Sequence, residues 1–211
     1  MALLVLDHLA LACETLDAGG ASVRDQLGVE LPASGKHPVM GTHNRLTGMG
    51  PDMYFEVIAI DPDAPPVGRP RWFNLDAFSG VPRLTNWILR TPNMEAALDA
   101  LPPGFGTPIS LERGPFKWRM AVPDNGVLPW GGWAPAIIEW EGEAHPTQSL
   151  PDSGLRLASL TLHHPQAREI AQVLGPLMAA DTALFMPDEQ AKLVAVFDAS
   201  ADGPDGVRRL M

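Results

Sequence analysis

The sequence predicts an α+β fold in which one βαβββ block is used twice and a shortened βαβ unit follows. Three observations carry this. An apolar strand pattern running into a capped helical pattern starts at Leu4 and returns at Leu84 and Leu155. Each is followed by a later apolar strand, over residues 54–61, 136–141 and 193–199. Within the first two blocks the spans are alike, with 48 residues from His8 to Glu56 and 52 from Trp87 to Glu139.

In the first block, residues 4–12 (LVLDHLALA) read as a strand. Thr15 or Asp17 can cap a helix running to Leu27, with Leu16, Val23 and Leu27 on one stripe and Gly28 as its stop. Gly19 and Gly20 weaken that helix. Residues 44–48 supply a strand before the closing strand. In the second block, residues 84–91 open, Thr91 or Asn93 caps a helix carrying Met94, Leu98 and Leu101, and Pro102-Pro103 ends it. Residues 108–113 and 116–122 flank a turn at Gly114-Pro115, and residues 136–141 (AIIEWE) close the block. In the third unit, residues 155–163 open, a helix from Pro165 carries Ile170, Val173, Leu174 and Leu177, and residues 193–199 close. One domain is expected overall. Its first module covers 1–62, a Pro-rich linker 63–83, the second module 84–142, a second linker 143–154, and the partial third unit 155–211.

Composition narrows the function. The 211 residues are 45% hydrophobic and 19% charged, ordinary for a folded domain. A net charge of −10 without a Lys/Arg cluster disfavours nucleic acid as a partner. The single Cys13 allows no intrachain disulfide and fits a reducing compartment. The apolar start, residues 1–6, lacks a basic n-region and is interrupted by Asp7 and His8; no run reaches the ~18 apolar residues of a membrane span. A cytoplasmic protein with no membrane partner is expected. Serine-hydrolase elbow, Walker, dinucleotide and structural-zinc motifs do not occur.

The chemistry-bearing residues centre on residues 35–62 (GKHPVMGTHNRLTGMGPDMYFEVIAIDP). Glu56 sits in an apolar strand and alternates onto the face of Tyr54, Ile58 and Ile60, so it either looks into a lined cavity or marks a solvated edge. His8 shares its face with Leu6, Ala10 and Ala12. It is either a satisfied core histidine or the partner of Glu56, and as a pair the two could act as a general base with a tuned pKa. His37 belongs at a cavity mouth or is structural. His43 and Arg45 share one side of their strand, Asn44 and Leu46 the other, and five residues do not say which side is inside. An inward Arg45 could grip a carboxylate through two parallel bonds. Arg119 and Glu139 read either as a structural ion pair or as substrate contacts. Trp130 and Trp133, bracketing two glycines, suit a cavity wall, a lid or plain core packing.

The tandem blocks, together with the LDH opening, the G-x-H-P-x-x-G-T-x-N loop and the Y-x-E strand, resemble the glyoxalase-like domain family of the vicinal oxygen chelate superfamily. That resemblance implies a curved, incomplete barrel around a divalent metal, with one ligand from the opening and one from the closing strand of each block. By position these fall on His8, Glu56, Trp87 and Glu139. His8, Glu56 and Glu139 are ligand types suited to Zn, Mn, Fe or Ni, whereas Trp87 would instead meet substrate. It further implies an enzyme acting on a small, oxygen-rich, carboxylate-bearing metabolite by lyase- or isomerase-type proton transfer. His8 and Glu56 would be catalytic, with His37, His43, Asn44, Arg45, Trp87 and Arg119 around the substrate. The alternative is a metal-free protein that sequesters a small molecule on the same fold. Relatives that dimerise make a homodimer an expectation.

Overall fold

Two strands lie at the middle of the molecule, β1 (Val5–Ala12) and β5 (Arg83–Arg90), paired antiparallel in a computed structural model that describes residues 3–199 and 207–211. Met1 and Ala2 of the apolar start, and residues 200–206 of the expected third unit, lie outside the described residues. On one side, α1 (Leu16–Leu27), β2 (Ala33–His37), β3 (Thr42–Gly48) and β4 (Tyr54–Ile60) follow β1. On the other, α2 (Met94–Ala100), β6 (Thr107–Arg113), β7 (Phe116–Val122), the short turn α3 (Pro129–Gly132) and β8 (Ala136–Glu141) follow β5. The sheet order β2-β3-β4-β1-β5-β8-β7-β6 is a mirror sequence of the two blocks. In each block the opening strand runs parallel to the closing strand, beside Ala10↔Glu56 in one and Ile88↔Ala136 in the other. The eight strands curve into a nearly closed α+β barrel. Its two edges meet where Arg113 of β6 reaches Asn44 Oδ1 of β3 at 3.2 Å.

Local signals explain the helices. Thr15 Oγ1 accepts the Ala18 N–H at 3.2 Å, and Gly28 ends α1 at φ 67°. Asn93 Oδ1 accepts the Ala96 N–H at 2.9 Å to start α2. β2 is the element sequence periodicity does not show: ASGKH is polar, carries a glycine and lies at a sheet edge, where pairing to β3 alone holds it.

The third unit departs from the block plan. β9 (Leu155–His164), α4 (Ala167–Leu174) and β10 (Leu184–Pro187) form a βαβ unit with parallel strands. The apolar strand expected to close it, β11 (Lys192–Ala199), instead pairs antiparallel to β9 and carries β12 (Val207–Leu210) on its other side. This four-stranded sheet covers the outer face of the barrel, with Phe185 against Trp87 at 6.2 Å and Phe197 against Phe55 at 6.3 Å between ring centres. The central strands are therefore buried on both faces, which accounts for their nearly unbroken apolar runs. No described helix is long and apolar enough to cross a membrane.

The paired glycines of α1 have different reasons. A methyl at Gly19 would sit 2.4 Å from Val57 Cγ1 and 2.6 Å from Cys13 Sγ, whereas at Gly20 it would meet only the Arg45 guanidinium, at 3.0 Å. Gly19→Ala is thus expected to destabilise the protein by about 1 kcal/mol or more despite better helix propensity, and Gly20→Ala to be neutral or stabilising. Urea denaturation of the two variants checks this; equal effects would mean that α1 does not dock through Gly19.

Candidate active site

The inner face of the barrel carries a buried acid–base cluster, and a β-bulge builds it. Pairing between β1 and β5 shifts from Leu6↔Leu89 to His8↔Ile88, which leaves Asp7 without an opposite residue. Neighbours on a regular strand point to opposite faces; the extra residue of a bulge re-aims one of them. Asp7 Oδ1 consequently lies 2.6 Å from Nδ1 of the adjacent His8. Asp7 is wholly buried, and its Oδ2 accepts from Trp140 Nε1 at 3.0 Å and meets His145 Nε2 at 3.0 Å, with Arg90 Nη1 at 3.6 Å. Burial alone would push its carboxyl up, but hydrogen bonds from His145 and His8 outweigh that and hold it well below the usual carboxylate range.

His8 stacks on Tyr54 with ring centres 4.2 Å apart, and its Nε2 faces Glu56 Oε2 at 3.5 Å and the Tyr54 hydroxyl at 3.5 Å. Burial would lower the imidazole, yet the bonds to Asp7 and Glu56 raise it above its ordinary value, so these carboxylates favour its charged form. Glu56 is 5% exposed. Burial would raise its carboxyl, but His8 and Asn44 keep it below its usual value. Burial lifts the Tyr54 phenol well above its normal range.

A second line of contacts runs across the barrel seam. Asn44 Nδ2 donates to Glu56 Oε1 at 2.7 Å and approaches His37 Nε2 at 3.4 Å, while Asn44 Oδ1 accepts from Arg113 Nη1. His37 Nδ1 lies 3.1 Å from Thr42 Oγ1, and burial drops this imidazole to about 4, so it is neutral. Among the described residues no carboxylate lies within ion-pair reach of Arg113. Gly35 makes its path possible, since a methyl there would lie 2.1 Å from Arg113 Nη1. His8, His37, Asn44, Tyr54, Glu56 and Arg113 line one recess, walled by Trp72, Phe73, Trp118 and Trp140. The enclosed space is about 30 Å³, and beyond His37 and Trp118 it adjoins an open cleft of about 600 Å³.

Other residues expected near substrate lie elsewhere. His43 and Arg45 alternate to the outer face, Arg45 Nη2 bonding Asp17 Oδ1 at 2.6 Å and His43 Nδ1 lying 4.0 Å from Asp61. Arg119 is clamped by Glu139 and Glu95, its Nε donating to Glu139 Oε2 at 2.6 Å and its Nη1 to Glu95 Oε1 at 2.6 Å. Glu139 also accepts from the Met94 N–H at the start of α2, so both ends of this pair brace the second block. Trp87 is fully buried on the face toward β10, its Nε1 bonded to the Trp133 carbonyl at 3.0 Å. Trp130 reaches Glu169 and does not line the recess.

The matching of His8 with Trp87 and of Glu56 with Glu139 is corrected by two equivalent backbone bonds. Cys13 N–H donates to Ile58 O at 3.1 Å, and Thr91 N–H to Ile138 O at 2.9 Å. Counting back from these places Asn86 opposite His8 and Ala136 opposite Glu56, in agreement with the registers Ala10↔Glu56 and Ile88↔Ala136. The four positions that would surround a metal in the resemblance therefore hold an imidazole, a carboxylate, an amide and a methyl. Among the described residues no three His, Cys, Asp or Glu side chains group as a cation would require. A divalent ion needs about three protein donors, and only His8 and Glu56 of these four are imidazole or carboxylate ligands. The residues present do not fit a metal.

The residues that sequence periodicity did not point to are Asp7, Arg113, Trp72, Trp118, Trp140 and His145, whereas Tyr54 was placed on the face of Glu56 by alternation. The Asp7-His8 pair was visible as a dipeptide, but strand alternation separates such neighbours. His145 and Trp72 come from the two linkers.

No curated protein matches the sequence. Among solved structures, a hypothetical protein from Staphylococcus aureus is similar with a TM-score of 0.61 at 14% identity, over 90% of this chain and 88% of that one. Methylmalonyl-CoA epimerase from Mycobacterium tuberculosis is similar at 18% identity with a TM-score of 0.43, over 68% of this chain and 92% of that chain. A hypothetical protein, BH1468 from Bacillus halodurans C-125, gives 12% identity and a TM-score of 0.44, over 66% and 95%. A family model described as a glyoxalase-like domain matches residues 6–178. That match takes in both halves of the barrel and the start of the outer sheet, and the chain belongs to the glyoxalase-like domain family.

Proposed function

We propose that this protein is a metal-independent acid–base enzyme of isomerase or lyase type, acting on a small carboxylate-bearing metabolite. The observation that carries the reading is a buried His8 held between Asp7 and Glu56 on the wall of a recess. Glu56 takes a proton from the carbon beside a substrate carbonyl, and the C–H electron pair moves onto the carbonyl oxygen. His8 Nε2–H donates to the enolate oxygen so formed, while Asp7 fixes the ring through Nδ1. Return of the proton to the neighbouring carbon gives an isomerase; loss of a neighbouring leaving group gives a lyase. Substrate binding itself tunes the base. Once the substrate oxygen takes the His8 N–H, Glu56 loses its main charge-stabilising partner and burial raises its affinity for a proton. Arg113, at the seam, supplies the cation for the substrate carboxylate.

A sequestering protein remains the second reading, supported by the aromatic walls Trp72, Phe73, Trp118 and Trp140. Proton NMR in D₂O against a panel of 2-oxo, 2-methyl and 3-oxo acids separates the two. The enzyme exchanges a C–H adjacent to the carbonyl for deuterium at a rate proportional to protein. Binding without exchange across the panel would favour sequestration. The buried thiol of Cys13, pushed up to about 12 by burial, is unreactive and takes no part in the proposed chemistry.

A further inference from the structure

The linker between the two blocks brings a residue with a buried, unpartnered hydrogen-bond donor to the wall of the recess. Trp72 is 4% exposed and lines the cavity, yet among the described residues nothing accepts from its Nε1–H. A buried donor left unpaired costs about 1–3 kcal/mol, so such a group is retained where something else uses it. Its place is beside the seam: the Trp72 ring meets His37 edge-on at 5.1 Å, and His37 neighbours Asn44, which holds Arg113. An unpartnered indole N–H and a guanidinium without a carboxylate thus belong to the same end of the recess, away from Asp7.

The backbone carrying Trp72 is strained. The next two residues, Phe73 and Asn74, sit at φ 60° and 53°, left-handed values that cost a non-glycine residue roughly 1 kcal/mol or more each. Phe73 stacks on Trp72 at 5.3 Å and lines the recess with it. The segment is tied at its ends, where Arg71 bonds Asp76 at 2.6 Å and Asn74 N–H donates to Gly126 O at 2.9 Å. With the segment down, the recess has room for one or two waters, far below the ~300 Å³ of an ordinary small-molecule pocket. A ligand needs more room than this, and of the wall residues Trp72 and Phe73 are the ones carried on left-handed linker backbone.

We propose that Trp72–Ala77 is a lid and that Trp72 is a ligand-binding residue, its Nε1–H closing with Arg113 on the ligand's carboxylate. This rests on the carboxylate reading above and adds an orientation. The acid group lies under the lid at the seam, and the reacting carbon lies at Glu56 and His8. The ligand class is a short, flat acid, since aromatic side chains wall the recess on several sides.

The test is a ¹⁵N–¹H spectrum of the whole protein, with the Trp72 indole peak identified by its absence in Trp72→Phe, a change that keeps the ring stacking. Pyruvate and phenylglyoxylate are the probes and pyruvamide is the uncharged control. The acids are expected to move the Trp72 Nε1–H peak downfield, pyruvamide to leave it in place, and Trp72→Phe to weaken acid binding about 3- to 10-fold, the worth of one hydrogen bond. If Arg113→Met weakens the acids while the indole peak stays still and Trp72→Phe binds normally, the Trp72 assignment is overturned and the carboxylate reading stands. If neither acid binds the unaltered protein, or Arg113→Met has no effect, the carboxylate reading fails and takes this proposal with it.

Discussion

Asp7→Ala is expected to destabilise the protein by about 3–5 kcal/mol, because it removes the carboxylate paired with the buried His8 and leaves the His8, His145 and Trp140 donors facing a void. For a chain of this size that is a fall in Tm of about 6–20 °C. The same change should reshape the pH dependence. Asp7 and Glu56 are depressed in the folded state, so their contribution is present above the ordinary carboxylate range and is lost as pH falls. His8 is raised, so its contribution is present below its ordinary value of about 6.5 and is lost as pH climbs through the raised value. The unaltered protein should therefore be most stable between those limits, weakening on both sides. In Asp7→Ala the acid limb should flatten, and the His8 imidazole should titrate lower because its strongest raising bond is gone. Urea melts from pH 4 to 9 and the His8 ring resonances read both effects. A loss below about 1 kcal/mol would mean that Asp7 is not the buried hub of the site.

What was legible in the sequence follows from what marks a position. Glu56 and His8 stand out because a charge and an imidazole interrupt apolar strands, and their long separation is itself a block-length spacing. The return of an apolar strand late in each block was legible from its run of large apolar residues. Phase was not. The second block holds an uncharged amide, Asn86, in the place of His8 and a methyl, Ala136, in the place of Glu56, so aligning on the more conspicuous Trp87 and Glu139 slips by one residue and by three. Asp7 was hidden by a bulge, which breaks the period that any alternation argument assumes. Arg113 and Arg119 show the same difficulty in another form. They flank one hairpin, and only the curvature that brings β6 to β2 and β3 decides that Arg113 faces the recess. Trp72 lies in a Pro-rich linker with no period at all, so only its packing reveals it. The third unit's β11 had a clear strand signal, but strand propensity does not encode direction, which is set by how the chain returns from α4.

Glu56→Gln is expected to lower deuterium exchange into the substrate by about a thousandfold, within the range that a positioned general base contributes. The argument depends on keeping everything else in place. Gln keeps an oxygen for Asn44 Nδ2, whose bond to Glu56 Oε1 is 2.7 Å, and it leaves the Arg113 and Trp72 ends of the recess untouched. Acid binding should therefore change by no more than a few-fold, so the loss falls on kcat and not on KM. The change also removes one of the two carboxylates that raise His8, so its imidazole should titrate lower in Glu56→Gln, while Asp7 still holds Nδ1. The pH profile supplies an independent sign. Exchange by the unaltered protein needs Glu56 ionised and His8 protonated, so it should fall on the acid side as the carboxylate takes its proton and on the basic side as the imidazolium loses one. Glu56→Asp, which withdraws the base by one methylene, should retain that shape at a lower maximum. Exchange that survived in Glu56→Gln with an unaltered basic limb would transfer the base role to another group and reduce Glu56 to a counter-ion of His8.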